Sequence, residues 1–147
     1  MNRAAKWTVA VIFLLCGGTI YTLYRPETLL LFRLFDQLGW TQGIAGWRES
    51  ASTVALPEWT VYSLPNGLWS AAYILIADAV HGSSSSGQRL CVAGFIPLLG
   101  VVSEVLQGFH WLRGTFDWAD MAAYIIPFAI YLMIIKNERT WNLQANK

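Results

Sequence analysis

The stretch LCVAGFIPLLGVVSEVLQGFHWLRGTFDWADMAAYIIPFAIYLMII, residues 90–135, contains two long apolar runs joined by a short polar turn. A helix that crosses the roughly 30 Å hydrocarbon core of a membrane needs about 20 mostly apolar residues, because each residue adds about 1.5 Å. Residues 90–111 and 118–135 both approach this length. The stretch therefore predicts a hairpin of two membrane-spanning helices.

The composition of the whole chain supports a membrane protein. Of 147 residues, 55% are hydrophobic and 13% are charged, and the mean hydropathy is +0.42. Soluble domains usually carry about twice this share of charge. The formal net charge is +1 and the basic residues are scattered, which argues against nucleic-acid binding. We expect a single all-α integral membrane domain over residues 1–147.

Two further runs, 7–24 and 66–80, complete a predicted bundle of four transmembrane helices. The run at 66–80 is short and contains Asp78, which could snorkel towards water or pair with Arg89. The first run follows basic residues, as in a secretory signal, but Leu15 is too bulky for a lipoprotein cleavage box before Cys16. The first run therefore predicts an uncleaved anchor. Cys16 and Cys91 lie in apolar runs, where we expect them to pack as small apolar side chains.

Residues 25–65 do not resemble a span. Pro26 suits the first position of a helix, and the apolar segment after it, which carries Arg33 and Asp36, predicts a short helix at the membrane interface that ends at Gly39. The segment from 40 to 65 contains several glycines and prolines and predicts a loop with at most short helices. The serine-rich segment 81–89 predicts a flexible polar connector.

The distribution of basic residues predicts that both termini are cytoplasmic, since Lys and Arg remain preferentially on that side. In this orientation the inner side holds six of them and the outer side four; the inner residues are Arg3, Lys6, Arg89, Lys136, Arg139 and Lys147, and the outer residues are Arg25, Arg33, Arg48 and Arg113. Six tryptophans then lie on the outer side, where indole rings favour the interface; they are Trp40, Trp47, Trp59, Trp69, Trp111 and Trp118.

Polar residues concentrate around the turn of the hairpin. Glu104 and Gln107 are three residues apart and share a helix face, and Asp117 and Asp120 have the same spacing on the next helix. This pattern predicts a pocket in which Arg113 is flanked by carboxylates. Asn66 and Trp69, which open the second span, reach the same level of the membrane.

The same residues also fit a structural clamp. Asp117 can cap the last helix, Asp120 can favour its dipole, and Arg113 can bridge to Glu104. Three acids and one base nevertheless leave excess negative charge, which needs a proton, a cation or a cationic ligand group. The sequence contains no Ser-His-Asp set, glycine-rich phosphate loop or metal-spaced histidine cluster, so we predict no cofactor and no metal site.

The order E-x-x-Q, R-x-x-F-D-W-x-D in residues 104–120 resembles the signature hairpin of VanZ-like membrane proteins. The four-span layout with a long first outer loop is also similar. Relatives in that family often carry D-K-x-x-H at the entry to the second helix, where this chain has Asn66 to Ser70. The resemblance implies a role in the bacterial envelope and a multi-pass location in the inner membrane. The namesake of the family is an accessory protein of glycopeptide resistance, associated with teicoplanin.

We therefore expect a non-enzymatic envelope protein that binds an amphiphile at the outer leaflet, either a lipopeptide antibiotic or a lipid-linked cell-wall intermediate. Two alternatives stay open: a membrane enzyme acting on a lipid-linked phosphate, and a structural subunit that assembles with its own copies or with another membrane protein. No catalytic residue is assigned. The predicted ligand-binding residues are Glu104, Gln107, Arg113, Asp117, Asp120, Trp69, Asn66, Trp111 and Trp118.

Overall fold

The computed structural model of the chain describes residues 1–27, 29–82 and 84–145, with side chains as far as residue 137. These residues form an all-helical structure without strands. In chain order the helices are α1 (Arg3–Tyr24), α2 (Leu30–Gln37), α3 (Thr41–Ala51), α4 (Glu58–Tyr62), α5 (Leu64–His81), α6 (Ser86–Gly108) and α7 (Trp118–Ala145).

Three stretches are long and apolar enough to cross a membrane. They are Arg3–Tyr24, Ser86–Gly108 and Trp118–Asn137. Few of their residues are buried inside the protein, and many of their large apolar side chains are exposed on its surface. Since lipid is the solvent that such surfaces require, the chain is a multi-pass membrane protein.

The central helix is α5, which packs against α1, α6 and α7. It is helical where the sequence predicted a span, but it is not among the three stretches that qualify by length and hydropathy. The helices around α5 explain why it can be less apolar than the other three. Because α5 is surrounded by other helices and buries seven of its residues, it can carry Asp78 without exposing that carboxylate to lipid. The core cluster beside it contains Ile74, Ala93 and Tyr131.

Close approach between the helices depends on glycines. A methyl group added at Gly17 of α1 would lie 2.6 Å from the indole nitrogen of Trp69, and one added at Gly100 of α6 would lie 2.5 Å from the ring of Tyr124. Small residues at these positions let the backbones approach and make room for the aromatic rings.

The region between α1 and α5 corrects two predictions. Arg25 is the C-cap of α1 and α2 begins only at Leu30, so Pro26 does not start a helix. The loop predicted from residue 40 contains the eleven-residue helix α3, longer than expected. Its two glycines cost helix stability, but α3 is held to α1 because Arg48 donates to the carbonyl of Thr22 at 2.5 Å. The predicted stop at Gly39 is confirmed, with φ of +70°.

The serine-rich connector is also shorter than predicted. His81 still belongs to α5, and α6 begins at Ser86 behind a capping box in which Ser85 and Gln88 bond reciprocally. Arg89 therefore lies in the first turn of α6 and not in a flexible segment.

The four long helices run alternately up and down, so the bundle has two ends. We call the end that carries the α6–α7 turn, residues 109–117, the hairpin end. The C-terminal end of α1 and the N-terminal end of α5 lie there as well. Arg25, the C-cap of α1, donates to the carbonyl of Tyr62, two residues before α5, at 3.0 Å. The opposite end, where Lys6 and Arg89 meet Asp78, is called the Asp78 end.

Candidate functional site

Two of the three acids at the hairpin end close the α6–α7 turn. Glu104 is buried in α6, and its Oε2 accepts the backbone N–H of Asp117 at 3.2 Å. Asp117 in turn caps α7, because its Oδ1 accepts the N–H of Ala119 at 2.8 Å. These bonds confirm that Asp117 is a cap, and they give both carboxylates a structural role.

Gln107 supports the same turn from the side of α6. Its amide donates to the hydroxyl of Ser103 and to Oε1 of Glu104, each at 3.3 Å. The side chain also fills the space above Gly114, whose φ of +142° suits glycine, and a methyl group at that position would collide with the Gln107 amide. His110, with φ of 59°, ends α6 in the left-handed region, so its contribution to the turn comes from its backbone.

Asp120 differs from the other two acids. It lies in the first turn of α7. Both Asp120 and Asp117 are near enough to Glu104 to interact with it electrostatically. The Oδ1 of Asp120 is buried and accepts no hydrogen bond in the described part of the chain. A buried carboxylate oxygen without a donor is costly, by about 1–3 kcal/mol or more. We refer to Glu104, Asp117 and Asp120 as the acidic cluster.

Arg113 does not join the acidic cluster. It is exposed in the turn and forms no ion pair with a described residue. The predicted tryptophans beside it, Trp111 and Trp118, are 78% and 74% exposed. All three side chains are exposed on the outside of the turn. The predicted bridge from Arg113 to Glu104 is not formed.

The remaining two predicted residues lie on α5. Trp69 packs on α1, with its ring 5.3 Å from that of Tyr21, and so it faces away from the hairpin. Asn66 donates to the carbonyl of Tyr62 at 3.3 Å. The structure thus brings Glu104, Gln107, Asp117 and Asp120 together and leaves the others at the rim or on another face.

Sequence reasoning missed Arg25, the cation that lies beside this cluster. Its guanidinium stands 5.3 Å from the ring centre of Tyr21 and 4.6 Å from that of Tyr62. Its Nε is buried without a partner among the described residues. Tyr124 on α7 is within electrostatic range of Arg25, Asp120 and Glu104, so Arg25 and the two acids belong to the same region of the hairpin end. No local pattern in residues 24–27 signals this, because the hydrogen bond of Arg25 reaches Tyr62 on α4, 37 residues further along the chain.

An apolar groove of about 670 Å³ runs along the outside of the bundle, between α5 and α7 and below α4. It begins at the hairpin end with Trp59, Ser63 and Ala119, and it extends to Ile134. Ser63 is only 4% exposed, and its hydroxyl has no partner in the described residues. The walls are mainly apolar, and the unpartnered polar group among the lining residues, that of Ser63, lies at the hairpin end. The volume of the groove lies in the range typical of ligand sites.

The Asp78 end holds a second polar group, which we call the Asp78 cluster. The buried carboxylate of Asp78 accepts from Lys6 at 2.5 Å, from the Nε and Nη2 of Arg89 at 2.9 and 2.7 Å, and from the hydroxyl of Tyr131 at 2.7 Å. The predicted pairing of Asp78 with Arg89 is confirmed. Because each partner belongs to a different helix, one carboxylate ties α1, α5, α6 and α7 together.

The chemistry available at the hairpin end is ionic and hydrogen-bonding. Among the residues that the structure describes, no three His, Cys, Asp or Glu side chains are arranged to hold a metal ion. The acidic cluster can accept donors from an ammonium group, while Arg25 can donate to an anion.

Comparison with models of protein families, with curated proteins and with solved structures finds no match for this chain.

Proposed function

We propose that the chain crosses the bacterial inner membrane four times, with both termini in the cytoplasm. The central position of α5 supports a fourth span, since α5 lies alongside three helices that are each long enough to cross. Its 18 residues extend about 27 Å, close to the hydrocarbon thickness. The excess of Lys and Arg at the Asp78 end and at the C-terminus supports the orientation, with the hairpin end outside.

The helix α2 lies at the outer interface in this arrangement. It buries no residue against the rest of the protein, and its leucines at positions 30, 34 and 38 form an exposed apolar stripe with helical spacing. Arg33 and Asp36 lie away from this stripe. An amphipathic helix of this kind is stable where one face meets lipid and the other meets water.

The protein binds an amphiphile from the outer leaflet without catalysing a reaction on it, as a VanZ-like envelope protein. The observation that carries this function is the position of Asp120: its unpartnered buried oxygen lies one residue from Ala119, which lines the hairpin end of the apolar groove. A headgroup could thus contact polar atoms while its chain occupies the groove. Buried polar atoms without partners in a native protein call for such an explanation.

The length of the groove fits a lipid chain. From Ala119 to Ile134 the wall formed by α7 extends about 22 Å at 1.5 Å per residue, which exceeds the ~15 Å depth of one leaflet. Trp111 and Trp118 lie at headgroup level around the turn, and Arg113 lies there as an open cation for a phosphate or carboxylate. A lipopeptide antibiotic or a lipid-linked cell-wall intermediate has the required polar head and apolar chain.

Native mass spectrometry of the protein released from gentle detergent tests this function. We expect the wild type to retain a discrete amphiphile and Ala122→Phe, which fills the groove, to lose it. Ile125→Phe adds the same ring on a lipid-exposed face of α7 outside the groove and should retain it. Absence of any adduct in the wild type, or equal retention in both variants, would contradict amphiphile binding.

A further inference from the structure

Arg25 offers an open anion site at the hairpin end. One of its terminal nitrogens is held by the carbonyl of Tyr62, and two tyrosine rings flank its guanidinium. These contacts fix the position of the charge without neutralising it, because neither a carbonyl nor a ring carries a negative charge. The buried Nε remains a donor without an acceptor in the described chain.

Asp120 offers the complementary open site. The structure provides its carboxylate with no cationic partner among the described residues, and its Oδ1 lacks a donor. Glu104 and Asp117 contribute further negative charge nearby and are already used in closing the turn. The local excess of negative charge therefore favours an ammonium group beside Asp120.

Arg25 and Asp120 do not line the groove themselves, but each adjoins a residue at its hairpin end. Arg25 donates to the carbonyl of Tyr62, the residue before Ser63, and Asp120 is the residue after Ala119. Ser63 and Ala119 both line the groove. They lie at one level, since a methyl group added at Gly67 would lie 3.4 Å from Ala123, one turn further along two helices that run in the same direction. The unpartnered hydroxyl of Ser63, in a side chain that is nearly fully buried, points to a polar group at this level.

A group with one type of charge cannot satisfy these sites together. An ammonium group donates only, which suits Asp120 and the Ser63 hydroxyl but repels Arg25, while a phosphate suits Arg25 but is repelled by the acids. We propose that the amphiphile is a zwitterionic lipid of the outer leaflet. Its anionic group binds Arg25, its ammonium binds Asp120, and its chain lies in the α5–α7 groove. This inference rests on the amphiphile-binding function proposed above.

The test compares three lipids with the same two oleoyl chains on a three-carbon backbone and different charged groups. Purified protein is incubated in detergent with dioleoylphosphatidylethanolamine, which has a phosphate and an amine, with dioleoylphosphatidylethanol, which has only the phosphate, or with 1,2-dioleoyl-3-dimethylammonium-propane, the amine-only lipid. Retained lipid is then measured by native mass spectrometry. We expect phosphatidylethanolamine to be retained about tenfold more than either of the others, as one charge-assisted hydrogen bond would give.

Two variants assign the charges. Asp120→Asn should abolish the preference for phosphatidylethanolamine over phosphatidylethanol, and Arg25→Gln should abolish its preference over the amine-only lipid. Arg33→Gln and Asp36→Asn on α2 remove the same charges at exposed positions and should leave both preferences unchanged. The comparison of lipids on the wild type needs no variant, so it stands even if a substitution impairs folding.

The outcomes separate the two proposals. Equal retention of the three lipids by the wild type would overturn the zwitterionic headgroup and leave amphiphile binding intact, as would a preference that survives Asp120→Asn. Retention of none of the three, with no adduct on the protein as isolated, would overturn amphiphile binding itself.

Discussion

Replacing Asp78 with asparagine should destabilise the bundle more than any change to one of its partners. In the structure Oδ1 accepts from Arg89 and Tyr131, while Oδ2 accepts from Lys6 at 2.5 Å. Asparagine can keep one oxygen for Arg89 and Tyr131. It must then turn its amide N–H groups towards the ammonium of Lys6, which sets donor against donor and leaves two cations without a counter-charge.

The cost follows from the burial of these groups. Removing one partner of a buried ion pair typically costs 3–5 kcal/mol. The side chains of Lys6 and Arg89 are 17% and 13% exposed, so each can move partly towards water, and we expect a loss near the lower limit, about 3 kcal/mol. Lys6→Met keeps the apolar stem and leaves Asp78 paired with Arg89. It should cost less, about 1.5 kcal/mol, the lower end of the net value of a hydrogen bond to a charged group.

Reversible unfolding in mixed micelles of a mild detergent and sodium dodecyl sulfate, followed by tryptophan fluorescence, measures these differences. Asp36→Asn on the exposed face of α2 is the control, since among the described residues the Asp36 carboxylate accepts only from the hydroxyl of Thr41, at 3.3 Å. The reasoning is refuted if Asp78→Asn loses less than about 1 kcal/mol, or if it is no more destabilising than Lys6→Met.

Two further predictions concern the packing and the turn of the α6–α7 hairpin. Gly100→Ala should cost about 1–3 kcal/mol, because the new methyl group would lie 2.5 Å from the ring of Tyr124. A methyl group at Gly18 meets nothing within 4 Å, so Gly18→Ala should be neutral or stabilising in the same unfolding assay. Equal effects of the two substitutions would contradict the close packing at Gly100. Asp117→Ala should cost about 1 kcal/mol, because it removes the cap on the N–H of Ala119. Asp117→Asn keeps an accepting oxygen and should cost less. Equal losses in the two variants would show that the charge of Asp117, and not its capping bond, stabilises the turn.

The sequence predicts the long helices well, because their signal is a local excess of apolar residues. The predicted runs 7–24 and 66–80 fall inside α1 and α5, and 118–135 falls inside α7. The hairpin turn and its cap at Asp117 are also local, since a polar interruption and a capping residue lie within a few positions of each other. The predicted pair of Asp78 and Arg89 is eleven residues apart and required only that two helix ends meet.

What the sequence does not reveal depends on contacts between distant segments. The helix α3 forms despite Gly43 and Gly46, since Ile44 is buried and Arg48 is anchored on α1 and pairs with Glu27. Intrinsic propensity is a weak guide where such tertiary contacts exist. The same limit hides Arg25, whose neighbours on α4 and α7 are 37 and more residues away along the chain.

Asp78 and Asp120, at opposite ends of the bundle, differ in how the protein satisfies their carboxylate oxygens. Asp78 receives hydrogen bonds from three other helices, so the cost of burying it is offset within the protein. Asp120 receives none at Oδ1, although Glu104 and Asp117 nearby are both satisfied by the backbone of the turn. The turn therefore closes without any contribution from that oxygen. Such a buried acceptor, on the residue after Ala119 at the hairpin end of the apolar groove, is best explained by a donor that comes from outside the chain.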